Sequence, residues 1–332
     1  MSLPDIVKDS LKEHAPKIEE IIISTLSTSK QEKLQSAMLY LIKSGGKRLR
    51  ATLPYLVGDL LGKTTHSHYE VGAAIEIIHN FTLIHDDIMD DDSVRRGRPA
   101  VHVAFDIPTA INAGDAMLAT AFELISSSND IEVRKMPTLV KIIGEMVRRV
   151  SEGQQLDIDN ENRRNITIDD YLYMIEGKTA VMFEACAKIG GILSDASEKD
   201  IELLGKWGLN LGLCFQIVDD LIDVVSDSNT SGKPIGSDLI QGKMTCMTIH
   251  AINKKDVDLT NLEAVLGAGG DIDRKLIEMA ISDLNQSGSI EFCRDLAKKY
   301  HKIAKDCLEN FKINEGFEVL SKLTDYHINR IN

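Results

Sequence analysis

An all-α fold is what this sequence predicts, built as one large helical bundle around a central cavity. Apolar residues recur at three- and four-residue spacing over long stretches, as in Leu203, Leu204, Trp207, Leu211, Cys214, Phe215 and Val218, the pattern of a buried helical stripe. All seven prolines lie at or before position 234, and none falls between 138 and 233, which leaves two long segments without a helix breaker. Period-two alternation flanked by hairpin dipeptides is scarce.

In order, the spacing predicts helices over about 5–26, 28–44, 49–62, 65–90, 108–128, 131–152, 168–193, 197–226, 237–250, 272–286, 289–311 and 315–329. Turns fall at Ser44-Gly45-Gly46, Arg96-Gly97-Arg98-Pro99, Thr230 to Pro234 and Gly267 to Gly270. None is long enough to be an interdomain linker, so residues 1–332 read as a single domain.

Composition narrows the function. With 43% hydrophobic residues in 332, there is ample material for a core. The net charge of −13 argues against a nucleic-acid or anionic-membrane surface. A phosphorylated ligand would therefore have to meet local basic residues or metal ions. Cys186, Cys214, Cys246, Cys293 and Cys307 are scattered singly, which fits buried thiols in a reducing compartment better than a disulfide framework or a zinc site. The N-terminus lacks a signal pattern, and no apolar run approaches the roughly 18 residues of a membrane span. A cytoplasmic protein without a transmembrane segment is expected.

The sharpest signal is Asp86-Asp87-Ile88-Met89-Asp90, repeated as Asp219-Asp220-Leu221-Ile222-Asp223. On a helix the first and last aspartates of each cluster lie about one turn apart, so each should project two or three carboxylates from one narrow stripe. Both clusters follow strongly apolar sequence and sit near a predicted helix C-terminus, where the macrodipole disfavours anions. Hard cations compensate such an arrangement, and Mg²⁺ completes its octahedron with waters and substrate phosphate oxygens. Basic residues flank the clusters. Arg95 and Arg96 open a turn beyond the first, and Lys47, Arg48 and Arg50 stand at a glycine-opened helix start; both can meet phosphate oxygens. Lys178 and Thr179 adjoin the mid-helix Gly177, a candidate kink, and Lys233 and Lys243 follow the second cluster.

These residues carry a resemblance. GGKRLR (45–50), IHNFTLIHDDIMD (78–90), RRGRP (95–99), GQQLD (153–157), EGKTA (176–180), FQIVDDLID (215–223), GKPIGSD (232–238) and GK (242–243) resemble, in order, the landmarks of the polyprenyl synthetase family of trans-isoprenyl diphosphate synthases. The resemblance implies a homodimer of all-α subunits and three Mg²⁺ ions per active site. Asp86, Asp90 and Asp157 would hold metal from one wall and Asp219 from the other, with Asp87, Asp220 and Asp223 supporting. Arg95, Lys178, Lys233 and Lys243 would serve an allylic diphosphate (dimethylallyl, geranyl or farnesyl). Lys47, Arg50, His79 and Arg96 would hold isopentenyl diphosphate. Thr179 and Gln216 would aim oxygens at the developing carbocation. The C-terminus lacks the basic tail of some members, which leaves the role of Arg330 open.

Upstream of Asp86 the fifth residue is Phe81 and the fourth is Thr82. A lone phenylalanine at the fifth position resembles the archaeal-type C20 enzymes, with Phe81 and Thr82 as the floor that sets chain length and geranylgeranyl diphosphate as the product. A C15 or C25 product is the alternative. A terpene cyclase would leave GGKRLR and His79 unexplained, and a noncatalytic subunit would be expected to have lost aspartates from one cluster.

Overall fold

The computed structural model describes residues 3–161, 163, 165–225, 235–270 and 272–330. Helices dominate: α1 (Asp5–Leu26), α2 (Glu32–Lys43), α3 (Leu49–Leu60), α4 (His66–Met89), α5 (Val101–Ala104), α6 (Ile107–Ser126), α7 (Met136–Glu161), α8 (Ile168–Ile175), α9 (Val181–Leu193), α10 (Glu198–Val225), α11 (Ser237–Gln241), α12 (Cys246–Ile252), α13 (Thr260–Val265), α14 (Arg274–Gln286), α15 (Ser289–Leu308) and α16 (Glu315–Asn329). The strands are β1 (Val94–Arg95) and β2 (Arg98–Pro99), an antiparallel hairpin at RRGRP. No described helix is long and apolar enough to cross a membrane. All five cysteines are buried and free.

Local chemistry sets the ends. Asp106 accepts from the Thr109 N–H at 2.7 Å at the start of α6, and Asn314 accepts from the Phe317 N–H at 2.8 Å at the start of α16. Thr167 and Asp170 form a capping box on α8. α4 and α10 form the centre. α4 packs on α3 and α6, while α10 packs on α9 and α15. Two apolar clusters result. The upper one joins α1–α7, α9, the first half of α10, the end of α15 and most of α16, and the lower one joins α8, the second half of α10, α11–α14 and the first half of α15.

Several expectations change in detail. The helix expected over 237–250 is two, α11 and α12, because Gly242 takes φ 83° and turns the chain between them. The segment 260–265 forms α13, too short to show a period in sequence. Helix α7 starts later than expected and runs on to Glu161, so Gln154 and Asp157 lie on it. The candidate kink at Gly177 is a wide π-turn, Glu176–Ala180, between α8 and α9, an insertion typical of functional positions. It lies against Gly153 of α7, where a Cβ would sit 2.1 Å from the Lys178 amide nitrogen. Gly153→Ala should therefore lower stability by about 1–3 kcal/mol, as overpacking does, read as a lower urea midpoint. An unchanged midpoint would mean that the π-turn can retreat.

Candidate active site

The aspartate clusters reach the cavity on the ends of the two central helices. α4 is buried through Ile84 and ends at Met89, with Asp90 as its C-cap. α10 buries Leu213, Cys214, Ile217 and Val218 just before Asp219. Asp86 and Asp90 line a cavity of about 220 Å³ that Arg95, Lys178 and Lys243 also line. Burial pushes the Asp86 carboxyl up to about 6, and Asp90 and Asp87 add to this while Lys178 and Arg95 oppose it. Gln154 Nε2 donates to Asp90 Oδ1 at 3.1 Å. Lys178 Nζ donates to Asp157 Oδ2 at 2.5 Å. Burial works to lower the Lys243 pKa, but Asp238, Asp157, Asp90 and Asp220 together raise it.

Asp86 and Asp90 share the expected stripe, whereas the second aspartate of each cluster diverges from the first by about 100°. Asp87, 0% exposed, turns away from the cavity to accept from Arg95 Nε at 2.7 Å. Asp220 turns toward α8, where Tyr171 Oη donates to it at 2.7 Å and Gln216 Nε2 at 2.9 Å. Burial, then Asp238, pushes Asp220 up to about 7. Asp223 accepts from Ser237 Oγ at 2.7 Å and from the Asp238 N–H at 3.1 Å. Asp219 faces a second cavity and accepts from Arg330 Nη1 at 2.6 Å. The π-turn presents Thr179, whose hydroxyl donates to Gln216 Oε1 at 2.8 Å.

The second cavity, about 290 Å³, gathers Lys47, Arg50, Arg96 and Arg330 with His79. The Arg50 guanidinium lies 4.8 Å from the Phe183 ring centre and 5.6 Å from that of Phe215. Burial and the neighbouring arginines hold His79 neutral, well below its ordinary range. Arg96 donates to Leu41 O at 2.9 Å and to Gly45 O, which fixes it at the rim. Arg50 and His79 line both cavities, so the two are neighbours across one shared wall. Thr82 lines the first cavity, whereas Phe81 is 9% exposed in the upper core, edge-on to His85 at 5.0 Å. Lys233 lies outside the described residues. Tyr171, Tyr326 and His327, whose helices carry no motif, also stand at the site, as does Asp238, which ends the GKPIGSD segment without having been assigned a role of its own, and Arg330, whose role the sequence left open.

The donor set around the first cavity fits a hard divalent cation. Asp86 and Asp90 offer carboxylate oxygens, burial raises the Asp86 carboxyl so that a cation beside it would be welcome, and the buried Gln154 Oε1 has no partner among the described residues. A different trio, His66, Glu70 and Asp130, offers ligand atoms within 4.8 Å of one another. It stands at the opposite end of α4, about 30 Å along the helix from Asp86, and takes no part in this site.

A bundle whose two central helices end in aspartate clusters beside paired cationic cavities defines a class that handles diphosphates. The polyprenyl synthetase family model matches residues 31–284, and the chain belongs to that family of prenyltransferases. It is 38% identical over 325 residues to a short chain isoprenyl diphosphate synthase of Methanothermobacter thermautotrophicus, covering 98% of both chains. It is 36% identical over 346 residues to a geranylfarnesyl diphosphate synthase of Natronomonas pharaonis, covering 99% of both. The crystal structure of a geranylgeranyl pyrophosphate synthetase from Pyrococcus horikoshii superposes with a TM-score of 0.91 at 33% identity, covering 98% of both.

Arg48, between the two cationic residues Lys47 and Arg50, has a structural task. It is buried, donating from Nη1 to Glu76 Oε1 at 2.9 Å and from Nη2 to Ile42 O at 2.6 Å. Arg48→Met should cost about 3–5 kcal/mol by leaving the Glu76 carboxylate buried and unpaired. Adding Glu76→Leu should recover most of that loss in urea unfolding. A double variant no more stable than the single one would refute this assignment.

Proposed function

We propose that this enzyme condenses isopentenyl diphosphate head-to-tail with an allylic diphosphate, in the presence of Mg²⁺, to give geranylgeranyl diphosphate. The observation that carries the reading is the pair of adjacent cavities sharing Arg50 and His79, one carrying the first aspartate cluster and the other the cations of the GGKRLR segment. Two diphosphates placed side by side are what such a condensation needs. Three Mg²⁺ ions held by Asp86, Asp90, Asp157 and Asp219 would neutralise the leaving diphosphate. Asp87, Asp220 and Asp223 would support the site indirectly, Asp87 by holding Arg95, Asp220 by holding Gln216, and Asp223 by fixing the start of α11.

The chain's own residues account for the rest. Arg95, Lys178, Lys233 and Lys243 bind the allylic diphosphate, and Lys47, Arg50 and Arg96 bind isopentenyl diphosphate. His79, neutral, donates a hydrogen bond without adding charge. When the allylic C–O bond breaks, the Thr179 and Gln216 oxygens face the positive charge that develops on carbon. Leu83, Val150 and Met182 line the same cavity and keep water from the cation. The double bond of isopentenyl diphosphate supplies the electrons of the new C–C bond, and the proton lost from its C2 goes to the released diphosphate.

The whole chain, 1–332, acts as one catalytic unit in this reading, because α16 returns to pack on α3 and lines the second cavity. Homodimerisation belongs to the same proposal. Ile107 and Ile111 of α6 and Val140 of α7 are 51%, 41% and 40% exposed, an apolar surface that a second copy would cover. A cytoplasmic location is supported by the buried, unpaired thiols. The relatives act on chains of different length, so product length rests on α4. Thr82 and Phe81 stand about one helical turn, or 5.4 Å, above Asp86, close to the length of one isoprene unit.

Asp86→Ala and Asp219→Ala should each lower turnover by about 100-fold or more with unchanged circular dichroism, measured with labelled isopentenyl diphosphate and each allylic primer in turn. Near-native turnover in either variant would sink the joint role of the clusters. In the same assay Phe81→Ala should lengthen the product beyond C20, and Thr82→Phe should shorten it toward C15. An unchanged distribution in both would move the floor to another helix.

A further inference from the structure

The mechanism leaves one buried group in the second cavity unused. His327 of α16 is 1% exposed and lines this cavity with Lys47, Arg50, His79 and Arg330. Its ring stands edge-on to Phe215, 5.0 Å between centroids, so the imidazole is held in place by an aromatic wall. Neither Nδ1 nor Nε2 has a hydrogen-bond partner among the described residues. A buried ring nitrogen without a partner is destabilising, and an apolar side chain against Phe215 would avoid that cost. Burial first, then Arg330, Arg50 and Lys47, lowers its pKa to about 3, so the ring is neutral and carries one N–H donor and one bare nitrogen.

Among five cations (Lys47, Arg48, Arg50, Arg96 and Arg330) and the carboxylates of Glu76 and Asp219, a neutral donor contributes direction rather than charge. The cations of the cavity attract any diphosphate, whatever its orientation. A single N–H fixed by packing favours the one placement in which a diphosphate oxygen lies in front of it. We propose that His327 is a positioning residue for isopentenyl diphosphate, donating its ring N–H to a diphosphate oxygen of that substrate. This rests on reading the second cavity as the isopentenyl diphosphate site.

The test compares His327→Leu, which keeps an apolar contact with Phe215, with His327→Asn and His327→Gln, which restore an N–H donor near the places of Nδ1 and Nε2. His327→Leu should raise the KM for isopentenyl diphosphate about tenfold, the size of one hydrogen bond. The KM for the allylic partner and kcat should move by less than about threefold, and one of the two amides should recover most of the loss. In the unmutated enzyme, isopentenyl diphosphate alone should shift the ¹⁵N resonances of this ring, a reading that needs no variant to fold. Arg50→Ala serves as the reference for the cavity. If it leaves the KM for isopentenyl diphosphate unchanged, both the cavity reading and the proposal fall. If it raises that KM while His327→Leu does not, or if the ring resonances stay fixed, the role of His327 alone is overturned.

Discussion

Carboxylates and cations that could not be buried separately are buried together here, and much of the architecture follows from that constraint. Burial drives Asp86 up to about 6 and Asp220 up to about 7, so these groups hold their charge poorly without positive partners. Each partner comes from a different part of the chain. Arg95 reaches Asp87 from the β-hairpin, Lys178 reaches Asp157 from the π-turn, and Arg330 reaches Asp219 from the last helix. The ion pairs therefore tie the hairpin to the end of α4, the π-turn to α7 and the last helix to the end of α10. They also leave the cavity cationic where phosphate oxygens arrive and acidic where hard cations fit.

Much of this was legible in the sequence, and the parts that were not have physical reasons. α4 and α10 announced themselves through long apolar stripes that end in aspartates. The GGKRLR segment lines the second cavity, as its glycine-opened start suggested. The predicted stripe holds for Asp86 and Asp90, which line one cavity, and fails for Asp87 and Asp220. Consecutive aspartates diverge around a helix, and only the tertiary neighbours decide which of them faces the cavity. Asp87 and Asp220 are claimed by Arg95 and Tyr171, residues that neither cluster specifies. α13 escaped notice because six residues are too few to reveal a period, and Gly242 broke a predicted helix that its neighbours favoured. His327 gave no signal, since a histidine in an apolar helix looks the same in sequence whether it packs in a core or faces a ligand.

The upper core walls both cavities, giving Val150 and Met182 to the first and Phe183 and Tyr326 to the second. α10 contributes Leu204, Trp207 and Leu211 to the upper core and Cys214, Ile217 and Leu221 to the lower one. Gln216 and Asp219 stand on the part of α10 where the lower core has begun.

The π-turn has a consequence for how the chain can change. Tyr171, Met174 and Ile175 form the buried stripe of α8 in the lower core, and α9 places Met182, Phe183 and Cys186 in the upper one. In an unbroken α-helix, Lys178 would stand about 700° beyond Tyr171, almost in line with it, on that same stripe. The wide turn acts as a phase slip that takes the lysine out of the apolar sequence of faces and gives it to the cavity. Deleting one residue between Thr167 and Ser194 would cancel the slip. The helix would then have to sink an ammonium into the core or rotate Phe183 and Cys186 toward water. The length of this one segment is thus set to the residue by packing and by the place of Lys178 on the cavity wall, so this stretch of the chain can change by substitution but not by insertion or loss.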